Sequence, residues 1–197
     1  MSIKTALLIV DVQPTFCEEG SLPVDGGNLV AKKIGDLIGG SHGYDIVVTT
    51  QDWHIDPGSH FSVQPDFANT WPPHGVAGTP EAELHHSLTP VLDKVNVHVK
   101  KGQYAAAYSG FEGTDDHGRS LHEILSEAGI ERIETVGLAF DYCVKETALD
   151  GIKLGYEVEV LRDFTAPVSL ETAEAAKDEL EQAGVQINQD FSRVDSQ

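Results

Sequence analysis

Two cysteines are all that the 197 residues contain. Cys17 and Cys143 stand far apart and form no C-x-x-C pair, so a disulfide scaffold is not encoded and a reduced, cytoplasmic protein is expected. Basic residues are also scarce: 13 Lys and Arg face 32 Asp and Glu, a formal charge of −19. A field of that sign repels nucleic acid and anionic membranes, which removes both as partners. Long apolar runs are missing as well. The run at Ala6–Val10 is too short to span a bilayer, no signal-peptide cleavage pattern follows it, and no lipidation box stands at either end. No G-x-G-x-x-G follows the first strand pattern, so a dinucleotide site is unsupported. Gly39-Gly40-Ser41-His42-Gly43 matches a nucleophile elbow as a string. It lies after a helix pattern and before a strand pattern, the reverse of what the elbow needs.

What remains is an ordinary globular composition, 40% hydrophobic and 7% aromatic. The length suits one domain over residues 1–197 with a full core and no disulfide support. The acids are spread along the chain. Two readings stand: an acidic soluble enzyme, or adaptation to high salt, where self-repulsion is screened.

Strand and helix patterns alternate throughout. Ala6–Val10 is a continuous apolar run, as a strand buried on both faces should be. A helical stripe follows over Gly27–Leu37, stopped by Gly39-Gly40. Further strands are expected at 46–50, 95–100, 133–138 and 158–161, with an edge strand at 185–187. Helices are expected at 120–128, 142–154 and 169–183, the first with Ser120 and Glu123 as a capping box. The fold class is therefore α/β, a doubly wound three-layer sandwich with a parallel sheet of about six strands and helices on both faces. A stretch from Gln51 to about Pro80 has no regular pattern, yet carries Trp53, Phe61, Phe67 and Trp71. Such a long aromatic-bearing loop reads as functional. Ligands of doubly wound sheets bind beyond the carboxyl ends of the strands. Asp11, Asp52, Lys101 and Cys143 each follow a strand pattern, so all four belong on one rim.

Cys143 is either a small core residue or a nucleophile at a helix start, where negative charge is favoured. Asp11 is either a loop acid or a group that takes the thiol proton and returns it to a leaving amine. Lys101 is either a strand-end lysine or the partner that keeps Asp11 ionised. Asp52, His54 and His60 stand at D-x-H-x5-H spacing, with His74 beyond. One carboxylate and three imidazoles suit one divalent ion, such as zinc, iron(II) or manganese(II). His42, His85, His86, His98, His117 and His122 are read as scattered, water-exposed histidines.

The stretches Leu8–Gln13, Asp52-Trp53-His54 through His60-Phe61, Trp71–His74, Lys100-Lys101-Gly102, Tyr108–Phe111 and Val136–Val144 resemble, in order, the nicotinamidase/pyrazinamidase family of isochorismatase-like cysteine hydrolases. The resemblance spans nearly the whole chain. It implies a triad of Asp11, Lys101 and Cys143, and metal ligands Asp52, His54, His60 and His74, with zinc first among the metals. It implies an oxyanion hole from the N–H groups of Ala139 and Cys143, a cis peptide before Ala139, and Phe16, Trp71 and Tyr108 around the substrate ring. The activity implied is hydrolysis of nicotinamide, and of pyrazinamide, to the acid and ammonia, in NAD salvage. The expected partner is a small-molecule amide, with homo-oligomerisation left open. Two departures fall on the pocket wall. Asp141-Tyr142 precedes Cys143 where some members have His before Cys, and Pro14-Thr15 stands where Asn-Asp is frequent. Rival readings are a metal-free relative with another substrate, a metallohydrolase with metal-bound hydroxide as nucleophile, and a non-catalytic binding protein.

Overall fold

Strand β1, Thr5–Val10, shows why the chain folds as it does. Its residues from Ala6 onward are wholly buried, yet they divide between two cores. Ala6, Leu8 and Val10 face one apolar cluster, Leu7 and Ile9 the other, as period-two alternation requires of a strand covered on both sides. The computed structural model describes residues 3–188.

The other elements are α1 (Gly27–Gly39), β2 (Ile46–Asp52), β3 (Val97–Lys101), α2 (Leu121–Glu127), β4 (Arg132–Leu138), α3 (Lys145–Lys153), β5 (Glu157–Ala166), α4 (Leu170–Gln182) and β6 (Gln186–Asn188). The sheet order is β3-β2-β1-β4-β5-β6 and every pairing is parallel. Helices α2, α3 and α4 cover the face holding Leu8 and Val10. The opposite face is covered by α1 and by a 3-10 segment, His86–Lys94. The chain winds outward from β1 to β3, then crosses back to β4. The switch point therefore lies between β1 and β4, where a crevice opens at the carboxyl edge. Among the described residues, no helix is long and apolar enough to cross a membrane.

The expected elements are present, with shifted ends. β2 and β3 run on to Asp52 and Lys101, which are register partners across the two strands. The sheet itself thus aligns these two side chains. The helix expected from Tyr142 begins as a π-turn, Phe140–Val144, and becomes α-helical only at Lys145. Ser169 caps α4 by accepting from the Thr172 N–H, which settles the register of that cap. The segment at 86–94 has no counterpart in the sequence reading, because Pro90 breaks its helical pattern. His85 also corrects the sequence reading. It is buried, not water-exposed, pairs with the Asn28 side chain at 2.8 Å, and accepts from the Ser87 N–H at the start of that segment.

Candidate active site

Asp11 follows β1 with a left-handed backbone, φ 48°, a conformation that Asp tolerates better than most residues. Its N–H donates to the Thr50 carbonyl at 3.2 Å, and the Thr50 hydroxyl donates to Oδ1 at 2.6 Å. Oδ1 is thereby committed. Oδ2 lies 2.8 Å from Lys101 Nζ but has no aligned hydrogen-bond donor, so it keeps a lone pair for a proton. Lys101 is fully buried at the end of β3. Its ammonium also binds Asp52 Oδ1 and donates to the Ala107 carbonyl at 3.3 Å, and it sits 3.8 Å from Cys143 Sγ. Cys143 is set by the π-turn. Its carbonyl accepts from the Thr147 hydroxyl at 2.7 Å, and that hydroxyl accepts the Gly110 N–H at 2.9 Å.

Charge and burial oppose each other here. Burial raises the Asp11 carboxyl above its ordinary range, with Lys101 opposing and Asp52 adding to the rise. Burial likewise pushes the Cys143 thiol well up, against the pull of Lys101, and the neighbouring Asp11 and Asp52 push it further. The resting thiol therefore carries its proton, and an adjacent base has to accept it as the sulfur reacts. Burial works against the Lys101 ammonium, but Asp11 and Asp52 overcome it and hold the lysine firmly charged.

Beside this group three imidazoles converge. The ligand atoms of His54, His60 and His74 all lie within 4.8 Å of one another. His54 Nδ1 bonds the Gly102 carbonyl at 2.6 Å and His74 Nδ1 bonds the Pro72 carbonyl at 2.8 Å. A carbonyl only accepts, so each ring donates from Nδ1 and turns its Nε2 toward the cluster. Those Nε2 atoms lie 3.5 and 3.6 Å from Asp52 Oδ2. His54 Nε2 and His60 Nδ1 are buried without a hydrogen-bond partner. Burial, reinforced by His74 and His54, lowers His60 to about 4, so that ring is a neutral donor at pH 7. For Asp52, burial favours the acid, but Lys101 and the two adjacent histidines hold it ionised, well below the usual range. Three converging imidazoles, a carboxylate and orphaned ring nitrogens fit a divalent cation.

A cavity of about 390 Å³ opens above both groups. Phe16, Trp71, Tyr108 and Tyr142 supply aromatic walls, with Cys143, Ala139, Asp52, His60 and His74 at the polar end. The Trp71 indole N–H donates to the Tyr108 hydroxyl at 3.0 Å, and the Trp71 ring meets Tyr142 edge-on at 5.3 Å. Such mutual bracing holds a slot suited to a flat ring. The peptide before Ala139 is cis.

The residues named for the triad, the metal, the oxyanion hole and the ring walls all lie in or beside this crevice. Several others work here without having been singled out. Gln13 grips the Asp52 backbone twice, accepting from its N–H and donating to its carbonyl, both at 2.9 Å. Thr50 orients Asp11, and Thr147 ties the cysteine turn to Gly110. Only the position of Gln13 two residues after Asp11 could have drawn attention to it. Pro14-Thr15 also finds a structural place: the buried Thr15 hydroxyl accepts the N–H of Gly75, next to His74.

A buried thiol, carboxylate and ammonium beside an imidazole cluster, at the switch point of a parallel sheet, define an α/β hydrolase site. The chain belongs to the isochorismatase domain family, whose model matches residues 5–189. It is 47% identical over 183 residues to the nicotinamidase/pyrazinamidase of Mycobacterium tuberculosis, covering 92% of this chain and 97% of that one. It superposes on the PnC1 protein of L. infantum, solved in complex with nicotinate, with a TM-score of 0.82, 33% identity and 95% of each chain covered. The pyrazinamidase of Pyrococcus horikoshii, solved in complex with zinc, gives a TM-score of 0.76 and 34% identity over 95% of this chain and 99% of that one.

Proposed function

We propose that this protein is a metal-containing cysteine amidase that hydrolyses nicotinamide to nicotinic acid and ammonia, accepts pyrazinamide as well, and serves NAD salvage. The observation that carries the reading is the shared buried contact of Asp11, Lys101 and Cys143 at the floor of an aromatic slot. The similarity to the mycobacterial, leishmanial and archaeal proteins supports the substrate class.

The aromatic walls hold the pyridine ring and bring its amide to Cys143. Asp11 Oδ2 accepts the thiol proton as Sγ bonds to the amide carbon. Lys101 keeps Asp11 ionised beforehand and steadies the negative charge that builds on sulfur. The N–H groups of Ala139 and Cys143 receive the oxyanion, an effect worth about 3–4 kcal/mol per donor in a known hydrolase. Asp11 then protonates the departing nitrogen as the C–N bond breaks, which releases ammonia and leaves a thioester. Water, deprotonated by Asp11, adds to the thioester, and the Cys143 sulfur is expelled, taking the proton back from Asp11 and freeing the acid.

Asp52, His54, His60 and His74 would hold the metal, which we assign as zinc from the nitrogen-rich donor set and the zinc-bound archaeal relative. When bound it supplies a Lewis-acid contact for the ring nitrogen. We read the chain as one domain, since among the described residues one sheet and its loops provide every group. Both cysteines are free, which suits a reducing, cytoplasmic setting.

The test is ammonia release from nicotinamide by the purified protein in molar salt, before and after chelation. Chelation is expected to remove the activity and Cys143→Ala to abolish it. Sustained turnover by Cys143→Ala would sink the thiol mechanism in favour of metal-bound hydroxide.

A further inference from the structure

Asp141 is buried, and the chemistry proposed above gives it no part. Its carboxylate nevertheless accepts from three donors of one neighbouring segment. The Val168 N–H lies 2.9 Å from Oδ1 and 3.1 Å from Oδ2, the Ser169 N–H lies 3.4 Å from Oδ2, and the Thr172 hydroxyl makes a short bond to Oδ2. These donors are the entry to α4. A carboxylate from elsewhere in the chain thus supplements Ser169 as the cap of that helix, where negative charge is favourable. The two segments it joins both line the substrate cavity: Tyr142 and Cys143 directly follow Asp141, and Val168 stands on the other segment.

We propose that Asp141 is a positioning residue that sets the width of the cavity by latching Val168 to the turn bearing Cys143. The inference rests on the amidase reading for its substrate, but the width of the slot is a property of the fold. Without the latch, the β5–α4 junction loses its charged anchor and Val168 moves away from the cysteine turn. A flat ring is then held less closely, while the Asp11–Lys101–Cys143 contacts, made through β1, β3 and Thr147, stay in place.

In Asp141→Asn an amide NH2 replaces one acceptor oxygen among donors. Loss of one charge-assisted bond corresponds to roughly tenfold or more in an equilibrium constant. The expected result is a KM for nicotinamide raised about tenfold with kcat within about twofold, the pattern of lost uniform binding. Thr172→Val, which removes one donor and leaves the carboxylate, should shift KM the same way by less. It also serves if Asp141→Asn fails to fold.

A second readout needs no turnover: the rates at which iodoacetamide and its bulky N-benzyl analogue alkylate Cys143, with Cys143→Ala correcting for Cys17. The bulky-to-small ratio should rise in both latch variants and in Val168→Ala. An unchanged ratio in folded Asp141→Asn, or a fall in kcat with KM unmoved, overturns the latch. If the wild-type protein releases no ammonia while the alkylation ratios shift as expected, the amidase reading fails and the latch stands.

Discussion

Lys101→Met is the perturbation that most directly weighs the site's electrostatics. The ammonium is fully buried and serves two buried carboxylates, Asp11 at 2.8 Å and Asp52. Met fills most of the space and supplies no charge, leaving two uncompensated acids in contact range of each other's field. Removing one partner of a buried ion pair costs about 3–5 kcal/mol. For a domain of this size, with a total stability on the order of 5–15 kcal/mol, that corresponds to a Tm lowered by roughly 6–20 °C. The sign of the pH dependence follows. Without Lys101, the folded state raises the carboxyl pKa values above their unfolded ones, so the acids stabilise the fold when protonated and cost stability as pH rises through the folded pKa. The deficit against wild type should therefore shrink on acidification from pH 7.5 to pH 5. Urea unfolding of chelated wild type, Lys101→Met and Asp11→Asn/Lys101→Met at both pH values reads it. Chelation keeps a bound cation from standing in for the ammonium. The double variant, with one charge fewer, should recover part of the loss. A Lys101→Met protein within 1 kcal/mol of wild type at pH 7.5, or a deficit that grows on acidification, would refute the reasoning.

Three shorter predictions follow from other parts of the molecule. Gly137 has φ 113°, and a Cβ there would lie 2.0 Å from the Val10 carbonyl oxygen. Gly137→Ala is expected to cost about 4 kcal/mol or more, or to prevent folding, and a melting curve matching wild type would contradict the close approach of β1 and β4. Gly102 has φ 74°, its carbonyl accepts from His54, and an added Cβ would meet that ring at 2.6 Å. Gly102→Ala should therefore weaken zinc binding about 10–100-fold in competition titrations, with an unchanged affinity arguing against His54 as a ligand. Finally, if the charge of −19 reflects adaptation to salt, Tm should climb steeply from low to molar KCl, and a flat response would leave only an acidic enzyme.

The architecture was readable because the strands are unambiguous. Ala6–Val10 is apolar at every position and too short for a buried helix, so it reads as a strand covered on both faces, and it is completely buried. The site followed from topology, since side chains at the carboxyl ends of parallel strands converge at a switch point whatever their separation in sequence. Asp52 and Lys101, 49 residues apart, end as register partners. The segment at 86–94 was not readable, because a 3-10 turn containing Pro90 has neither of the periodicities that mark helix or strand. The π-turn was hidden for a related reason. Phe140–Val144 reads as the first turn of the helix it precedes, and the wider winding shows only in its backbone bonds, such as Val144 N–H to the Ala139 carbonyl at 3.1 Å.

The residues without a signal in the sequence share a trait: each is defined by a partner that folding brings to it, not by its residue type. Gln13 looks like any polar residue after a strand until β2 places the Asp52 backbone against its amide, 39 residues away. Asp141 would pass as an ordinary first-turn acid, yet it serves the entry of another helix, 27 to 31 residues further on. His85 gives no signal in the sequence because one histidine among nine carries no pattern, and the packing of α1 against the 86–94 segment brings Asn28 to its ring. Sequence patterns report which groups can react. The groups that hold them in place are specified by contacts between elements, and a buried amide or carboxylate of this kind declares itself only when its hydrogen-bond partners have to be found.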